Sequence, residues 1–249
     1  MTEHSIGSVS HDGHALWIFF SFTLKELILI NAIVDIFPQL AQGLKVTISV
    51  LIASALLSYI IAFIAGLCRL SNNVFIRKFT GFYVEVFRGT SLIVQLFWLY
   101  YAIPILFGIQ LGSNWWTGVI AIGLNYGAYL SEVVRGSIES VHEGQKEAAI
   151  ALNMSRFQRM RLIIFPQAVR MMLPEFGNYT IQMLKGTSLV SLIGMTDILY
   201  YGDLIRSSNL SQAPLVYLFI LVFYFIIALP LIWLTRKAEK LSKKGVAAG

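Results

Sequence analysis

The chain has 249 residues, of which 57% are hydrophobic and 13% charged, with a mean hydropathy of +0.71. A soluble domain carries about 25% charged residues, so the composition excludes an ordinary water-soluble globule and points to lipid as the bulk solvent. The single cysteine, Cys68, excludes an internal disulfide and supplies no metal site.

Residues 1–14 contain no Lys or Arg, which argues against a cleavable signal peptide. Ala15 to Leu24 is apolar but only ten residues long, and Lys25, Glu26 and Asp35 follow. Residues 1–37 are therefore read as an extracytoplasmic, interfacial segment. A sixth span there would leave the orientation of the rest unchanged. Val46 to Cys68 is 23 residues without a charge, and Gly89 to Ser131 is 43, interrupted by Gly108, Gly112, Ser113 and Asn114. Phe176 to Thr196 carries only Lys185, and Ser207 to Thr235 carries no charge. A helix needs about 20 apolar residues to cross the hydrocarbon. The expectation is an all-α membrane protein with five spans: Val46–Leu67, Phe82–Leu106, Trp115–Val134, Phe176–Met195 and Leu215–Leu234. Residues 38–236 form the membrane domain, and 237–249 a cytoplasmic tail.

Charge orients these spans. Of the 19 Lys and Arg, 14 lie in the connections after spans one and three and in the C-terminal tail. Lys25, Lys45 and Arg206 are on the other side. The positive-inside rule places the long loop and the C-terminus in the cytoplasm and the N-terminus outside. The net charge of +6 is then a topological signature, and it needs no nucleic acid to explain it.

The loop from Arg135 to Arg170 carries the densest local pattern. Glu147 to Leu152 consists mostly of good helix formers, and Ala148 and Ala149 leave a low surface that another protein can approach. Asn153 tolerates the left-handed conformation that ends many helices. Ser155 and Gln158 match a capping box. Pro166 is expected to bend or end the second helix. The local product is helix, sharp turn, helix.

These residues resemble the EAA loop of ABC-importer permeases, which reads E-A-A, three residues, G, about nine residues, I-x-L-P. Here the pattern is Glu147-Ala148-Ala149, Asn153, then Ile163-Ile164-Phe165-Pro166. Asn153 replaces the usual Gly, a mild change at a left-handed position, and Phe165 replaces Leu. Val84-Glu-Val-Phe-Arg-Gly-Thr-Ser-Leu-Ile-Val-Gln-Leu96, Glu132-Val-Val-Arg-Gly136 and Lys185-Gly-Thr-Ser-Leu-Val-Ser191 look like signatures of polar amino-acid permeases. Gly186 stands where many relatives carry an acidic residue. Glu147 to Ser155 and Phe97 to Tyr100 look most like ectoine/hydroxyectoine permeases.

The resemblance covers about residues 38–236 and implies a type I ABC importer permease in the bacterial inner membrane. It implies a second permease (the same chain or a homologue), an ABC ATPase dimer and an extracytoplasmic solute-binding protein. Glu147, Ala148, Ala149 and Asn153 would dock the ATPase by a helix-in-groove contact. The chain has no G-x-x-x-x-G-K-[ST] phosphate loop. No cofactor is assigned to it, and ATP-Mg belongs on the partner.

Within the spans, Glu85 and Arg88, and Glu132 and Arg135, are three residues apart and can meet on one helix face. Intramembrane charges turn toward protein or water. These four are read either as interface anchors or as a cytoplasmic-side gate. Lys185 and Gln182 are candidates for the substrate pathway, as are Gln95, Asn125 and Tyr129. The alternative for each is an interhelical bond. The rival functions are a secondary transporter, which would show inverted repeats, and a membrane scaffold or insertion factor, which would not need buried polar groups.

Overall fold

The computed structural model describes residues 10–109 and 111–243, with side chains over 34–109 and 111–242. Every regular element among the described residues is helical. The long helices are α1 (Ser10–Arg69), α5 (Asn114–Glu139), α8 (Phe165–Gly186) and α10 (Ala213–Lys243). Between them lie α2 (Val74–Gly89), α3 (Leu92–Phe97), α4 (Ile103–Phe107), α6 (Glu143–Ala151), α7 (Arg156–Arg159) and α9 (Ile198–Ser208).

Small residues set the central contact. α1 packs lengthwise on α5, and glycine faces the neighbouring helix at the points of closest approach. A Cβ on Gly123 would lie 2.6 Å from Leu57 Cδ2, and one on Gly127 would lie 2.8 Å from Ile61 Cγ2. Without a hydrophobic drive between helices in lipid, such close packing is the main cohesive force. Around this seam Val50, Ala62, Ile122, Leu130, Val134, Met183 and Leu184 form the main core. A smaller core joins the N-terminal half of α1 to α9 and α10 through Ile36, Leu40, Ile198, Val216 and Ile220. Ile52, Leu56, Ile60 and Ile64 line the outer face of α1 with more than half their area exposed, as a helix in an apolar solvent requires.

Two expectations change. The second span does not run straight from Phe82 to Leu106: α2 and the Leu92–Phe107 segment meet at 107°. Thr90 is extended, and Ser91 is the N-cap of α3. The amide-bearing side chains of Gln95 and Asn125 both donate to the Phe87 carbonyl that the break leaves free, at 2.9 and 3.0 Å. Pro166 also fails to end its helix. A π turn, Met160–Ile164, precedes it, with Phe165 N–H donating to the Met160 carbonyl, and α8 begins directly. Trp98–Ala102 makes the same device before Pro104. The wider π register accommodates a residue that lacks an N–H and would clash with the carbonyl four residues back.

α1 and α10 are each long and apolar enough to cross a membrane, and two bent helix pairs also qualify if each pair is one span. α5 has 26 residues and covers the segment expected as the third span, but it is less apolar than these and does not qualify by the same measure. No helix break marks the boundary drawn at residue 37, since α1 passes unbroken through Pro38. Residues 1–9 of the expected interfacial segment, and 244–249 of the expected tail, lie outside the described residues.

Candidate coupling loop and polar pathway

α6 starts at His142, whose Nδ1 accepts from Gly144 N–H at 3.1 Å. It ends in a left-handed residue, Asn153, with φ 54°, the only non-glycine positive φ among the described residues. Met154 N–H reaches back to the Ala149 carbonyl at 3.0 Å, and Asn153 N–H to that of Ile150 at 2.9 Å. This pair of bonds is the Schellman closure. Ser155 Oγ then accepts from Gln158 N–H at 3.2 Å, while Gln158 Oε1 accepts from Ser155 N–H at 2.9 Å. Both halves of the capping box form, and the turn is rigid from its own hydrogen bonds.

Of the loop's marked residues, Ala149 is fully buried, while Glu147, Ala148 and Asn153 are exposed. Ile150, Leu152, Phe157 and Leu162 are also exposed, at 57, 74, 70 and 62%. Four large apolar side chains are thus left exposed on a loop rich in arginine.

The gate candidates converge differently from their spacing. Glu132 pairs with Arg135 at 2.8 Å as the spacing allowed, and it also takes Arg69 at 3.2 Å and Arg88 at 3.8 Å. Arg135 extends the chain of charges to Glu139 at 2.5 Å. Glu85 and Arg88 do not pair. The fold carries Arg88 over the Tyr129 ring at 5.5 Å and toward Glu132, and leaves Glu85 exposed without an ion pair among the described residues. One carboxylate thus ties together the ends of α1, α2 and α5.

The pathway candidates separate into two groups. Gln95 and Asn125 are buried and bonded to each other at 3.0 Å, and Gln95 also donates to Thr90 Oγ1 at 2.7 Å. Their amide N–H groups are engaged at the α2–α3 bend, where Gln95 also lines a cavity with Thr90, Val94 and Trp98. Gln182 and Lys185 are exposed on α8 in register with Glu175 and Asn178, also exposed. Tyr126, Tyr129 and Tyr179 stand beside this stripe. Tyr126 Oη donates to the Gln182 carbonyl at 3.0 Å, and Tyr129 and Tyr179 stack at 5.9 Å. Gly186 makes room for this wall, because a Cβ there would lie 3.2 Å from Tyr126 Oη. Sequence reasoning marked Tyr129 but missed Arg69 as a partner of Glu132, and Glu175, Tyr126 and Tyr179. The spacing of Glu175, Asn178, Gln182 and Lys185, at steps of three and four, was the signal available.

A helical membrane bundle with an uncommitted polar face and a rigid, partner-seeking loop defines a transport subunit. Residues 58–243 match the family described as binding-protein-dependent transport system inner membrane component, and the chain belongs to that family. It is 42% identical over 209 residues to the probable amino-acid ABC transporter permease protein y4tF of Sinorhizobium fredii, covering 82% of this chain and 87% of that one. It is 33% identical over 213 residues to the glutamine transport system permease protein of Escherichia coli, covering 86% and 97%. The crystal structure of an amino acid ABC transporter with histidines superposes with a TM-score of 0.78 at 32% identity, over 84% of this chain and 96% of that one. The inward-facing methionine ABC transporter shares the fold, with a TM-score of 0.64 at 14% identity.

The chain is therefore a polar amino-acid ABC importer permease of the inner membrane, with the type I fold. It is not an enzyme; ATP hydrolysis belongs to a separate subunit, and a binding protein is a partner of the family in general. The secondary-transporter reading is set aside.

Proposed function

We propose that this subunit passes polar amino acids or related zwitterions inward by alternating access, in five crossings with the N-terminus outside and the C-terminus in the cytoplasm. It pairs with itself or a homologous permease, and two ATPase subunits that bind ATP-Mg dock on the two loops. The observation that carries this reading is the loop: a hydrogen-bonded helix–turn–helix that exposes Glu147 beside Ile150, Leu152 and Phe157. Glu147 supplies the charged contact, Ala148 allows close approach and Asn153 sets the angle of entry, while Ala149, expected on this surface, is buried and anchors the helix from inside.

The Glu132 hub acts as the cytoplasmic-side gate. Its arginines sit on three different helices, so relative motion of α1, α2 and α5 must stretch at least one pair. Lys185, Gln182, Asn178 and Glu175, walled by tyrosines, form the passage. Lys185 attracts the solute carboxylate, and the aromatic faces accept its cationic or apolar part. Co-purification tests the loop: the partner ATPase should be retained by the wild type and lost on Glu147→Arg, and retention by this variant would refute the docking role. Uptake competition among glutamine, histidine, arginine and ectoine, all zwitterions, then sorts the substrate. Ectoine as the strongest competitor would assign the ectoine/hydroxyectoine branch.

A further inference from the structure

Asp197 lies in the smaller core, where the 3-10 turn Thr187–Ile193 hands over to α9. It is fully buried. Its Oδ1 accepts from Tyr200 N–H at 2.9 Å and so caps α9, while its Oδ2 has no partner. The Asp197 backbone sits directly against Gly43, where a side chain of any size would collide, so the start of α9 is held close to α1.

The neighbours supply acceptors and few donors. Thr47 Oγ1 already donates to the Gly43 carbonyl at 3.2 Å, and Thr187 Oγ1 to that of Leu184 at 2.7 Å. Both hydroxyl protons are therefore taken, and Thr47 Oγ1 also accepts from Ile198 N–H at 3.4 Å. The Tyr224 hydroxyl, from α10, points at Asp197, Thr47 and Thr187 without closing a hydrogen bond to any of them. Among the described residues no cation pairs with Asp197, and the one charge that bears on it is Asp203, of the same sign. A buried carboxylate with no counter-charge and a bare oxygen is costly. A carboxylic acid in its place removes that charge and can exchange hydrogen bonds with the Tyr224 hydroxyl, which accepts as well as donates.

We propose that Asp197 is a proton-binding site: its carboxyl is held neutral, capping α9 with one oxygen and donating from the other into the Thr47–Thr187–Tyr224 cluster, so that α9 is seated between α1 and α10 only while the proton is bound. Burial pushes this carboxyl up to about 7 from its ordinary 3.8, against the lowering effect of the N–H groups it caps. The folded state therefore binds one more proton than the unfolded state between those values. The contribution to stability is complete below the ordinary value and is lost as pH rises through about 7.

The test is thermal unfolding of the purified transporter, with full-length permease, across a pH series for wild type and Asp197→Asn. Asparagine keeps the capping oxygen and presents N–H where the acid presents O–H. The wild-type midpoint should fall relative to that of Asp197→Asn by roughly 5 °C or more between about pH 5 and about pH 8.5. Asp197→Ala should melt lower than both at the acidic end because it loses the cap. Parallel profiles for wild type and Asp197→Asn would overturn the proposal, as would an Asp197→Asn protein that fails to assemble, since that would mean the charge itself is needed. The readout does not involve uptake, so it stands or falls independently of the transport mechanism.

Discussion

Asn153 is where local backbone chemistry bears most directly on coupling. It holds φ 54°, a conformation that costs an ordinary L-residue about 1–2 kcal/mol, and more for a β-branched one. Asn153→Val should therefore weight the loop away from its closed turn, breaking the Met154 to Ala149 and Asn153 to Ile150 bonds. One to two kcal/mol corresponds to about a 5- to 30-fold change in the ratio of closed to open loop. Where the open form predominates, affinity for the ATPase falls by the lost competent fraction. Titration of the purified ATPase onto permease in detergent should show that weakening for Asn153→Val, and wild-type or tighter binding for Asn153→Gly, which takes the left-handed region freely. Equal binding by the Val variant, or weaker binding by the Gly variant, would refute the claim that the turn geometry limits docking.

Three other outcomes follow from the geometry. Gly123→Leu drives a side chain into Leu57 and should cost about 1–3 kcal/mol by overpacking, read as a lowered melting midpoint and reduced membrane yield. Arg88→Gln should raise ATP hydrolysis uncoupled from uptake in reconstituted vesicles, whereas Glu85→Gln should couple normally, because among the described residues Arg88 engages Glu132 and Glu85 engages no ion pair. A contrary ranking would remove the hub from the gate. Lys185→Met should lower uptake several-fold while ATPase association stays unchanged; unaltered uptake would end its role in the passage.

What could be read in advance follows from the range of each interaction. The turn at Asn153 and the capping box at Ser155 involve partners within five residues, so spacing alone reveals them. Arg69 and Glu132 are 63 positions apart, and the Asn125 to Phe87 bond spans 38. Spacing on one helix cannot report such contacts, so neither the Arg69–Glu132 pair nor the Asn125–Phe87 bond was legible in advance. Pro166 was misjudged for a different reason. The rule that proline breaks helices assumes an α register, and a π turn upstream removes the clash. Asp197 was passed over because an acid before a helix reads as an ordinary cap; its burial is created by α1 and α10, far away in the chain.

The exposed row of Glu175, Asn178, Gln182 and Lys185 also governs the life of the subunit before it transports anything. Each charge left in hydrocarbon costs about 2.5–3.5 kcal/mol on insertion scales, so a solitary copy is a poor tenant of the bilayer. Assembly with a companion that hides or hydrates this row becomes a condition for persistence, and unmatched copies are natural targets for membrane proteolysis. The row proposed as the passage thereby also favours a paired over a solitary subunit.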